Sequence, residues 1–254
     1  MSLTWTDFDE LRRRRKALGR PFILAHRGAM RVQPENTLRS FTTALDQGAD
    51  LLETDLRFSA DNEIVLMHDP TVDRTTGGSG AVREMTLGQL KALRARSPRD
   101  GSLTDQTVPT LRELIHATNR EIPLALELKD PLFLQPVYGQ QLVDLLIETG
   151  MMDRVAIISF EWTHVAAVKR VEPMIPMGQI TMKNLIPPKG AQMAGPIWPL
   201  IFLNPLYIWM AHRRRAFVAP LDPDPEPRCW IYKRIGVDAL LANDTASVLD
   251  ALKG

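Results

Sequence analysis

Short apolar runs that alternate with helical patterns are the feature that most limits how this chain can fold. Eight runs of three to six residues have the composition of buried strands: Phe22–His26, Leu51–Leu56, Ile64–His68, Leu124–Leu128, Val155–Phe160, Met177–Ile180, Phe217–Ala219 and Val237–Ala242. Helical patterns cover Thr37–Gln47, Leu111–Asn119, Gly139–Thr149, Thr163–Val171, Arg228–Ile235 and Ala246–Leu252. Strands that alternate with helices indicate βα units around a parallel sheet.

The number of βα units favours a closed barrel over an open sheet. The chain has 254 residues and no Gly-x-Gly-x-x-Gly turn, and barrels of this kind often reach about 250 residues as one domain. We therefore predict a (β/α)8 TIM barrel, an α/β fold, that forms a single domain over residues 1–254. An amphipathic helix within residues 1–20 precedes the first strand.

Two irregularities interrupt the βα pattern. Only Arg57 to Glu63 separate the second and third runs, too few residues for a parallel crossover, so these runs must form a β-hairpin. A turn at Asp61-Asn62 would place Asp55 opposite His68. The second irregularity is the long, glycine-containing segment 69–109, which we interpret as a small insertion over one end of the barrel with a short helix near Thr86 to Ala95.

Composition excludes several classes of function. Lys+Arg 31 against Asp+Glu 30 gives no strong field for nucleic acid. The single cysteine, Cys229, excludes an intramolecular disulfide and a cysteine-built metal site, so a cytoplasmic location is expected. The apolar stretch Gly195–Ala211 contains three prolines, which argues against a membrane-spanning helix.

Charged side chains gather where four of the predicted strands end. Catalytic groups in (β/α) barrels lie at the carboxyl ends of the strands. The segments at these ends are His26-Arg27-Gly28, Glu53-Thr54-Asp55, His68-Asp69 and Glu127-Leu128-Lys129. Four separate strands would thus bring carboxylates, imidazoles and cations to one rim.

Three carboxylates at this rim suggest a metal site. Glu53 and Asp55 are two residues apart and project from the same side of their strand. With Glu127 they offer three hard oxygen ligands, which suit Mg²⁺ or Ca²⁺, and also Mn²⁺, better than Zn²⁺. The alternative is that Glu53 and Asp55 form ion pairs with Arg57 or Arg74.

The histidines at the rim are better suited to proton transfer than to metal binding. No two histidines have the i, i+4 spacing of helical ligands, so His26 and His68 form a candidate general acid/base pair. His116 and His164 fall within helical patterns, and His212 belongs to the basic surface run that ends at Arg215.

The ordered motifs resemble those of the glycerophosphodiester phosphodiesterase family, whose barrel is related in site design to phosphatidylinositol-specific phospholipase C. The resemblance rests on His26-Arg27-Gly28, Pro34-Glu35-Asn36-Thr37, Glu53-x-Asp55, His68-Asp69 and Glu127-Leu128-Lys129. It implies hydrolysis of small glycerophosphodiesters to glycerol 3-phosphate and an alcohol, with a divalent metal ion as cofactor.

The resemblance also implies a role for each matched residue. Glu53, Asp55 and Glu127 match the metal ligands, and His26 and His68 match the general acid/base pair. Arg27 and Lys129 match positions near the phosphate, and Glu35 matches an acidic residue that lines the site. The family further implies that the glycerol 2-hydroxyl attacks first and that water then opens a cyclic phosphate.

The second half of the chain departs from the family pattern. Where members of the family commonly carry a tryptophan on the seventh strand, this sequence reads Phe217-Val218-Ala219-Pro220-Leu221-Asp222. The preceding apolar segment either packs on the barrel or forms a lip for an acyl chain, with peripheral membrane contact through residues 195–215. Two alternatives therefore stay open: a lysophospholipase D-like enzyme that depends on Trp198, Phe202 and Trp209, and a non-catalytic phosphoester-binding barrel. The oligomeric state and the headgroup of the substrate are left open.

Overall fold

Strands and helices alternate along the chain and build a nearly closed parallel barrel. The structure is a computed structural model, and it describes residues 3–253. The strands are β1 Phe22–His26, β2 Leu51–Phe58, β3 Ile64–Leu66, β4 Leu124–Leu128, β5 Val155–Ser159, β6 Met177–Thr181, β7 Met193–Pro196, β8 Phe217–Val218 and β9 Ala239–Ala242. The helices are α1 Phe8–Leu18, α2 Leu38–Asp46, α3 Leu87–Ala92, α4 Leu111–Ala117, α5 Pro136–Thr149, α6 Trp162–Val171, α7 Pro199–Leu203, α8 Tyr207–Arg213, α9 Cys229–Ile235 and α10 Thr245–Ala251.

Eight parallel strands form the barrel wall in the order β8-β7-β6-β5-β4-β2-β1-β9. Their side chains are almost all buried because the outward faces pack against helices and the inward faces fill the interior. This confirms the predicted (β/α)8 TIM barrel. The predicted N-terminal helix corresponds to α1, and residues 1 and 2 of that prediction lie outside the described residues.

A carboxylate joins the first and last strands of this order. The backbone N–H of Asp238 donates to the carbonyl of Val218 at 3.0 Å, and the Asp238 carboxylate accepts from the Val218 N–H at 2.8 Å. The same carboxylate lies 2.8 Å from Nε2 of His212. The prediction that His212 belongs to a basic surface run was therefore wrong, since its ring turns inward to Asp238.

One barrel strand was missed by sequence reasoning. Met193–Pro196 forms β7, parallel to β6 and β8, although its last two residues had been assigned to the apolar stretch Gly195–Ala211. The rest of that stretch supplies α7 and most of α8, with Leu200, Ile201 and Tyr207 buried against the barrel. No helix within residues 3–253 is long and apolar enough to cross a membrane.

The hairpin is present, but its predicted register is off by one residue. β3 pairs antiparallel with β2 so that Leu56 faces Leu66 and Phe58 faces Ile64. Asp55 therefore lies opposite Met67, whose N–H donates to the Asp55 carbonyl at 3.0 Å, and not opposite His68. The loop has three residues, 60–62, and Asn62 adopts a positive φ of 63°, whereas the prediction assumed a two-residue turn.

Segment 69–109 packs over the hairpin through its own small apolar cluster. Val72, Val82, Leu90 and Val108 are buried there against Val65 and Met67. The helix expected in this segment is α3, whose N-cap Thr86 forms a reciprocal capping box with Gln89. This arrangement fixes the segment that follows His68 beside the carboxyl ends of β1 and β2.

Candidate active site

Three buried carboxylates meet at the carboxyl ends of β2 and β4. The strand register places Asp55 beside Glu127, and Glu53 lies two residues before Asp55 on the same side. One carboxylate oxygen from each of the three residues lies within 4.8 Å of the other two. All three residues are at most 5% exposed, so the charges are concentrated in a region of low dielectric.

Burial and mutual repulsion shift the ionisation of this carboxylate cluster. Burial, reinforced by Asp55 and Glu127, raises the pKa of Glu53 well above its usual range. Burial and then the Asp55 charge raise the pKa of Glu127 to about 7. Burial also opposes ionisation of Asp55, but the positive charges of Arg27 and Lys129 outweigh it and lower the pKa of Asp55. Asp55 is therefore the fixed anion of the cluster.

Asn36 orients Asp55, a role that sequence reasoning did not assign. Its side-chain amide donates to Oδ2 of Asp55 at 2.9 Å, and its Oδ1 accepts from the Thr54 hydroxyl at 2.8 Å. Asn36 is buried and adopts a positive φ of 56°, a conformation that asparagine tolerates better than most residues. The only signal in the sequence was its place within Pro34-Glu35-Asn36-Thr37.

Arg27 leaves β1 in a sharp turn and reaches two carboxylates. Its φ is 54°, and its backbone N–H donates to Oε2 of Glu53 at 3.1 Å. Its guanidinium lies 3.1 Å from Oδ2 of Asp55 and donates to Glu35 at 3.1 Å. A cation therefore adjoins the carboxylate cluster on the side of β1.

Lys129 supplies the second cation, from the end of β4. Its Nζ lies 2.7 Å from Glu127 and 3.6 Å from Oδ1 of Asp55. It also lies 5.5 Å from the centre of the Phe160 ring. Arg27 and Lys129 thus flank the carboxylate cluster, one next to β1 and the other at the end of β4.

His26 is held in one tautomer by Asn243. The Asn243 amide nitrogen donates to the carbonyl of Pro223 at 2.9 Å, which turns its Oδ1 toward His26. Nδ1–H of His26 donates to that oxygen at 2.7 Å. Nε2 therefore faces the cavity, 3.9 Å from Glu53, and burial together with Arg27 lowers the pKa of His26 to about 4.

His68 has a charged partner where His26 has a neutral one. Nδ1–H of His68 donates to Asp69 at 2.7 Å, and Asp69 also accepts from Arg74 at 2.6 Å. Arg74 donates through two further N–H groups to Glu35, at 2.7 and 2.8 Å. Burial lowers the pKa of His68, an effect that the charge of Asp55 and the Asp69 hydrogen bond oppose.

The ion pairs suggested as an alternative for Glu53 and Asp55 do not form. Arg74 pairs with Glu35 and Asp69, and Arg57 donates to the backbone carbonyl of His68 at 2.7 and 3.0 Å. Glu35 therefore connects Arg27 to the Arg74–Asp69–His68 chain. Arg74 and Asn243 are additional residues of the site that spacing alone did not indicate.

One cavity of about 200 Å³ opens above these groups, and it has a polar half and an apolar half. Its polar half is formed by His26, Arg27, Glu53, His68, Glu127 and Lys129. Its other half is apolar, formed by Leu24, Ile158, Phe160, Ile180, Met193, Gly195, Ala219, Leu221 and Leu241. Six of the eight residues predicted for the site line this cavity, and a seventh, Asp55, lies in the carboxylate cluster. The eighth, Glu35, is not part of the lining and accepts a hydrogen bond from Arg27. Trp198, Phe202 and Trp209 do not belong to this lining.

The carboxylate cluster fits a divalent cation. Three carboxylates without an ion repel one another, and Oδ1 of Asp55 is a buried oxygen with no hydrogen-bond donor. Oxygen-only ligands at this spacing suit Mg²⁺, Ca²⁺ or Mn²⁺, and neither imidazole is needed to complete the set.

Comparison with known proteins agrees with this geometry. The profile of the glycerophosphoryl diester phosphodiesterase family matches residues 26–192. A glycerophosphodiester phosphodiesterase from Caldanaerobacter subterraneus subsp. tengcongensis is 27% identical over 236 residues, 91% of this chain and 97% of that protein.

Solved structures share the fold. A phosphodiesterase from Oleispira antarctica, in complex with the product sn-glycerol-3-phosphate, superposes with a TM-score of 0.80 at 24% identity and covers 94% of this chain and 99% of its own. A glycerophosphodiester phosphodiesterase from Agrobacterium tumefaciens superposes with a TM-score of 0.77 at 24% identity, over 91% and 99% of the two chains. With the family profile spanning most of the barrel and every motif of the rim present, the chain belongs to the glycerophosphoryl diester phosphodiesterase family and is an enzyme of the phosphoric diester hydrolase class.

Proposed function

We propose that this enzyme hydrolyses glycerophosphodiesters to glycerol 3-phosphate and an alcohol, with a divalent metal ion and two histidines. The observation that carries the proposal is that both imidazoles and the three-carboxylate cluster meet in one cavity. The relatives named glycerophosphodiester phosphodiesterase support the reaction class. The proposal includes a cytoplasmic location, and the single cysteine is compatible with it.

Glu53, Asp55 and Glu127 would hold the metal ion, and Arg27 and Lys129 would contact the phosphate. When bound there, the ion supplies positive charge for the phosphate oxygens, which gain negative charge as the nucleophile attacks. The two cations that flank the carboxylate cluster add to this stabilisation. Asn36 and Glu35 keep Asp55 and Arg27 in place.

The partners of the two histidines favour a division of roles. His26 donates to a neutral amide, so it stays unprotonated and presents Nε2 as a general base. His68 donates to Asp69, whose negative charge stabilises an imidazolium that can act as general acid.

The first step is a displacement at phosphorus. His26 accepts the proton of the glycerol 2-hydroxyl, that oxygen forms a bond to phosphorus, and the bond from phosphorus to the leaving alcohol oxygen breaks. His68 gives its proton to that oxygen. In the second step the oxygen of water forms a bond to phosphorus as neutral His68 accepts its proton. The bond from phosphorus to the 2-oxygen breaks, and protonated His26 returns its proton to that oxygen.

The test is release of glycerol 3-phosphate from glycerophosphocholine, with EDTA or with added Mg²⁺, Ca²⁺ or Mn²⁺. We expect turnover that EDTA abolishes and that His26→Ala and His68→Ala each lower by at least about a hundredfold. His116→Ala is the matched control, because this histidine is exposed on α4 and far in the chain from the rim. A folded His26→Ala protein with wild-type turnover would contradict the proposal.

A second candidate substrate class is favoured by the apolar half of the cavity. Ile158, Ile180 and Leu221 line a wall that a short polar headgroup would leave unfilled, whereas an acyl chain would cover it. The candidate is a lysophospholipase D-like reaction, with peripheral membrane contact through residues 195–215. Because Trp198, Phe202 and Trp209 lie outside the cavity lining, the strand residues would hold the chain. Choline release from lysophosphatidylcholine, compared with glycerophosphocholine, separates the two candidates. Absence of both activities would indicate that the substrate is another phosphodiester.

A further inference from the structure

Residues 173–221 differ in charge from the rest of the chain. This stretch of 49 residues contains no aspartate or glutamate and carries five cations: Lys183, Lys189, Arg213, Arg214 and Arg215. The chain as a whole has 31 cationic and 30 acidic residues, so the remainder is net negative. This part of the barrel therefore carries cations without any acidic residue among them.

The same stretch exposes an unusual share of apolar side chains. Within residues 3–253, seven of the sixteen exposed large apolar side chains lie between 182 and 209. Six of them are more than 40% exposed: Met182, Leu185, Ile186, Leu203, Leu206 and Trp209. We call these six side chains the apolar rim.

Hydrogen bonds join the two segments that carry the apolar rim. The side-chain amide of Asn204, in the turn between α7 and α8, donates to the carbonyl of Leu185 at 2.7 Å. The Arg214 guanidinium donates to the carbonyl of Pro187. The connection after β6 is therefore fixed beside the α7–α8 turn, which brings the two segments that carry the apolar rim next to each other.

The apolar rim lies on the side of the barrel where the cavity opens. The N–H of Ile197, just before α7, donates to the carbonyl of Thr181 at the end of β6. The N–H of Trp198 donates to the carbonyl of Leu221, which lines the cavity. The start of α7 is therefore anchored at the carboxyl ends of the strands, next to the apolar half of the cavity.

Cations are interleaved with the apolar rim. The Arg213 guanidinium lies 5.3 Å from the centre of the Trp209 ring. Exposed Lys183 directly follows Met182, and exposed Lys189 lies three residues after Ile186. Aliphatic and tryptophan side chains that point outward between cations, without any acidic residue, match the interface of an anionic bilayer.

We propose that the apolar rim docks this enzyme on the anionic surface of a lipid bilayer, with its aliphatic side chains and Trp209 in the interface and Lys183, Lys189 and Arg213 on lipid phosphates. The proposed surface differs from the contact segment 195–215 expected from the sequence, because part of that segment is buried and the connection 182–189 supplies three of the six side chains of the apolar rim. The proposal deepens the lysolipid candidate, since a lipid held in the bilayer would meet the apolar side of the cavity.

The test is flotation of the full-length protein with vesicles of phosphatidylcholine alone or with about 30% phosphatidylserine. We expect binding to the anionic vesicles only. Leu206→Ser/Trp209→Ser should lower the bound fraction by about tenfold or more, as should Lys183→Glu/Arg213→Glu. Arg12→Glu/Lys16→Glu is the charge-matched control on α1, which carries no side chain of the apolar rim, and should retain binding.

Three outcomes would overturn the proposal: no binding of the wild-type protein to anionic vesicles, equal loss in the α1 control, or a change in oligomeric state rather than in vesicle binding when the apolar rim is substituted. The last outcome would identify the surface as a protein interface. Turnover of soluble glycerophosphocholine is measured on the same variants and should stay at the wild-type level. If the wild-type protein hydrolyses glycerophosphocholine but does not bind vesicles, only the docking proposal fails. If it binds vesicles but does not hydrolyse this substrate, only the proposed function fails.

Discussion

His26 and Asn243 lie 217 residues apart in the sequence, yet Nδ1 of the histidine is 2.7 Å from Oδ1 of the asparagine. The asparagine follows β9, which pairs with β1, so closure of the barrel brings the two side chains together. Because the other end of the asparagine amide donates to Pro223, this hydrogen bond fixes which imidazole nitrogen faces the cavity.

Asn243→Asp should move the acid limb of the pH–rate profile to higher pH. A carboxylate in place of the amide stabilises the protonated form of His26 and raises its pKa from a value of about 4, so more of the base is protonated at pH 6. We expect the acid limb of kcat/KM to shift upward by about one unit or more. Asn243→Leu is the control: it removes the acceptor and should lower kcat without this alkaline shift. An unchanged profile in Asn243→Asp would rule out His26 as the base.

Asp69→Asn should shift the basic limb of the pH–rate profile to lower pH. The Asp69 hydrogen bond opposes the effect of burial on His68, so its loss lowers the pKa of His68 further and reduces the fraction of general acid at neutral pH. We expect the basic limb of kcat/KM to move down by about one unit. Asp73→Asn is charge-matched in the same segment, but Asp73 bonds to Ser79 and Gly80 and should leave both limbs in place.

Glu53→Gln and Asp55→Asn should affect the metal-free protein in opposite ways. Burial and neighbouring carboxylates disfavour the charge of Glu53, so a neutral isostere should leave the melting temperature unchanged or higher. Asp55 is held ionised by Arg27 and Lys129, and Asp55→Asn removes the carboxylate that both cations share while Arg27 keeps Glu35 and Lys129 keeps Glu127, so we expect a loss of about 2 kcal/mol in the free energy of unfolding.

Both carboxylate variants should lose the increase in melting temperature that divalent ions give the wild-type protein. Thermal unfolding with EDTA and with Mg²⁺ measures the two effects separately. If Glu53→Gln still gains stability from the ion, the carboxylate cluster is not its binding site.

The positions of the strand-end residues were predictable because they depend only on local pattern and strand order. Runs that carry His26, Asp55 or Glu127 at their last or second-last position bring these side chains to one edge once the sheet is parallel. Register then determines neighbours directly, as in the pairing of Asp55 with Glu127. The carboxylate cluster follows from these two facts without knowledge of any loop.

The partners of these residues were not predictable, because they come from loops that the fold brings together. Asn243, Asp69 and Arg74 lie in segments whose path depends on the packing of segment 69–109 and on barrel closure. The strand β7 was missed for a compositional reason. Its sequence Met-Ala-Gly-Pro has no β-branched residue and runs directly into apolar α7, so neither end of the strand is marked.

Gly28→Ala should unfold the turn that carries Arg27, and Gly101→Ala should not. Gly28 has a φ of 83°, and a Cβ added there would lie 2.4 to 2.7 Å from the hydroxyl and backbone atoms of Ser40. Both the left-handed conformation and the overlap are costly, and we expect a loss of about 3 kcal/mol or more in the free energy of unfolding. Gly101 has a similar φ of 73° with nothing within 4 Å of an added Cβ, so its substitution should cost only the conformational part, about 1 kcal/mol. Urea unfolding of both variants measures the two losses in the free energy of unfolding. Their difference is the cost of the overlap between an added Cβ at residue 28 and α2, separate from the cost of the backbone conformation. Equal losses in the two variants would show that α2 can move away from Gly28, in which case the turn does not fix the position of Arg27.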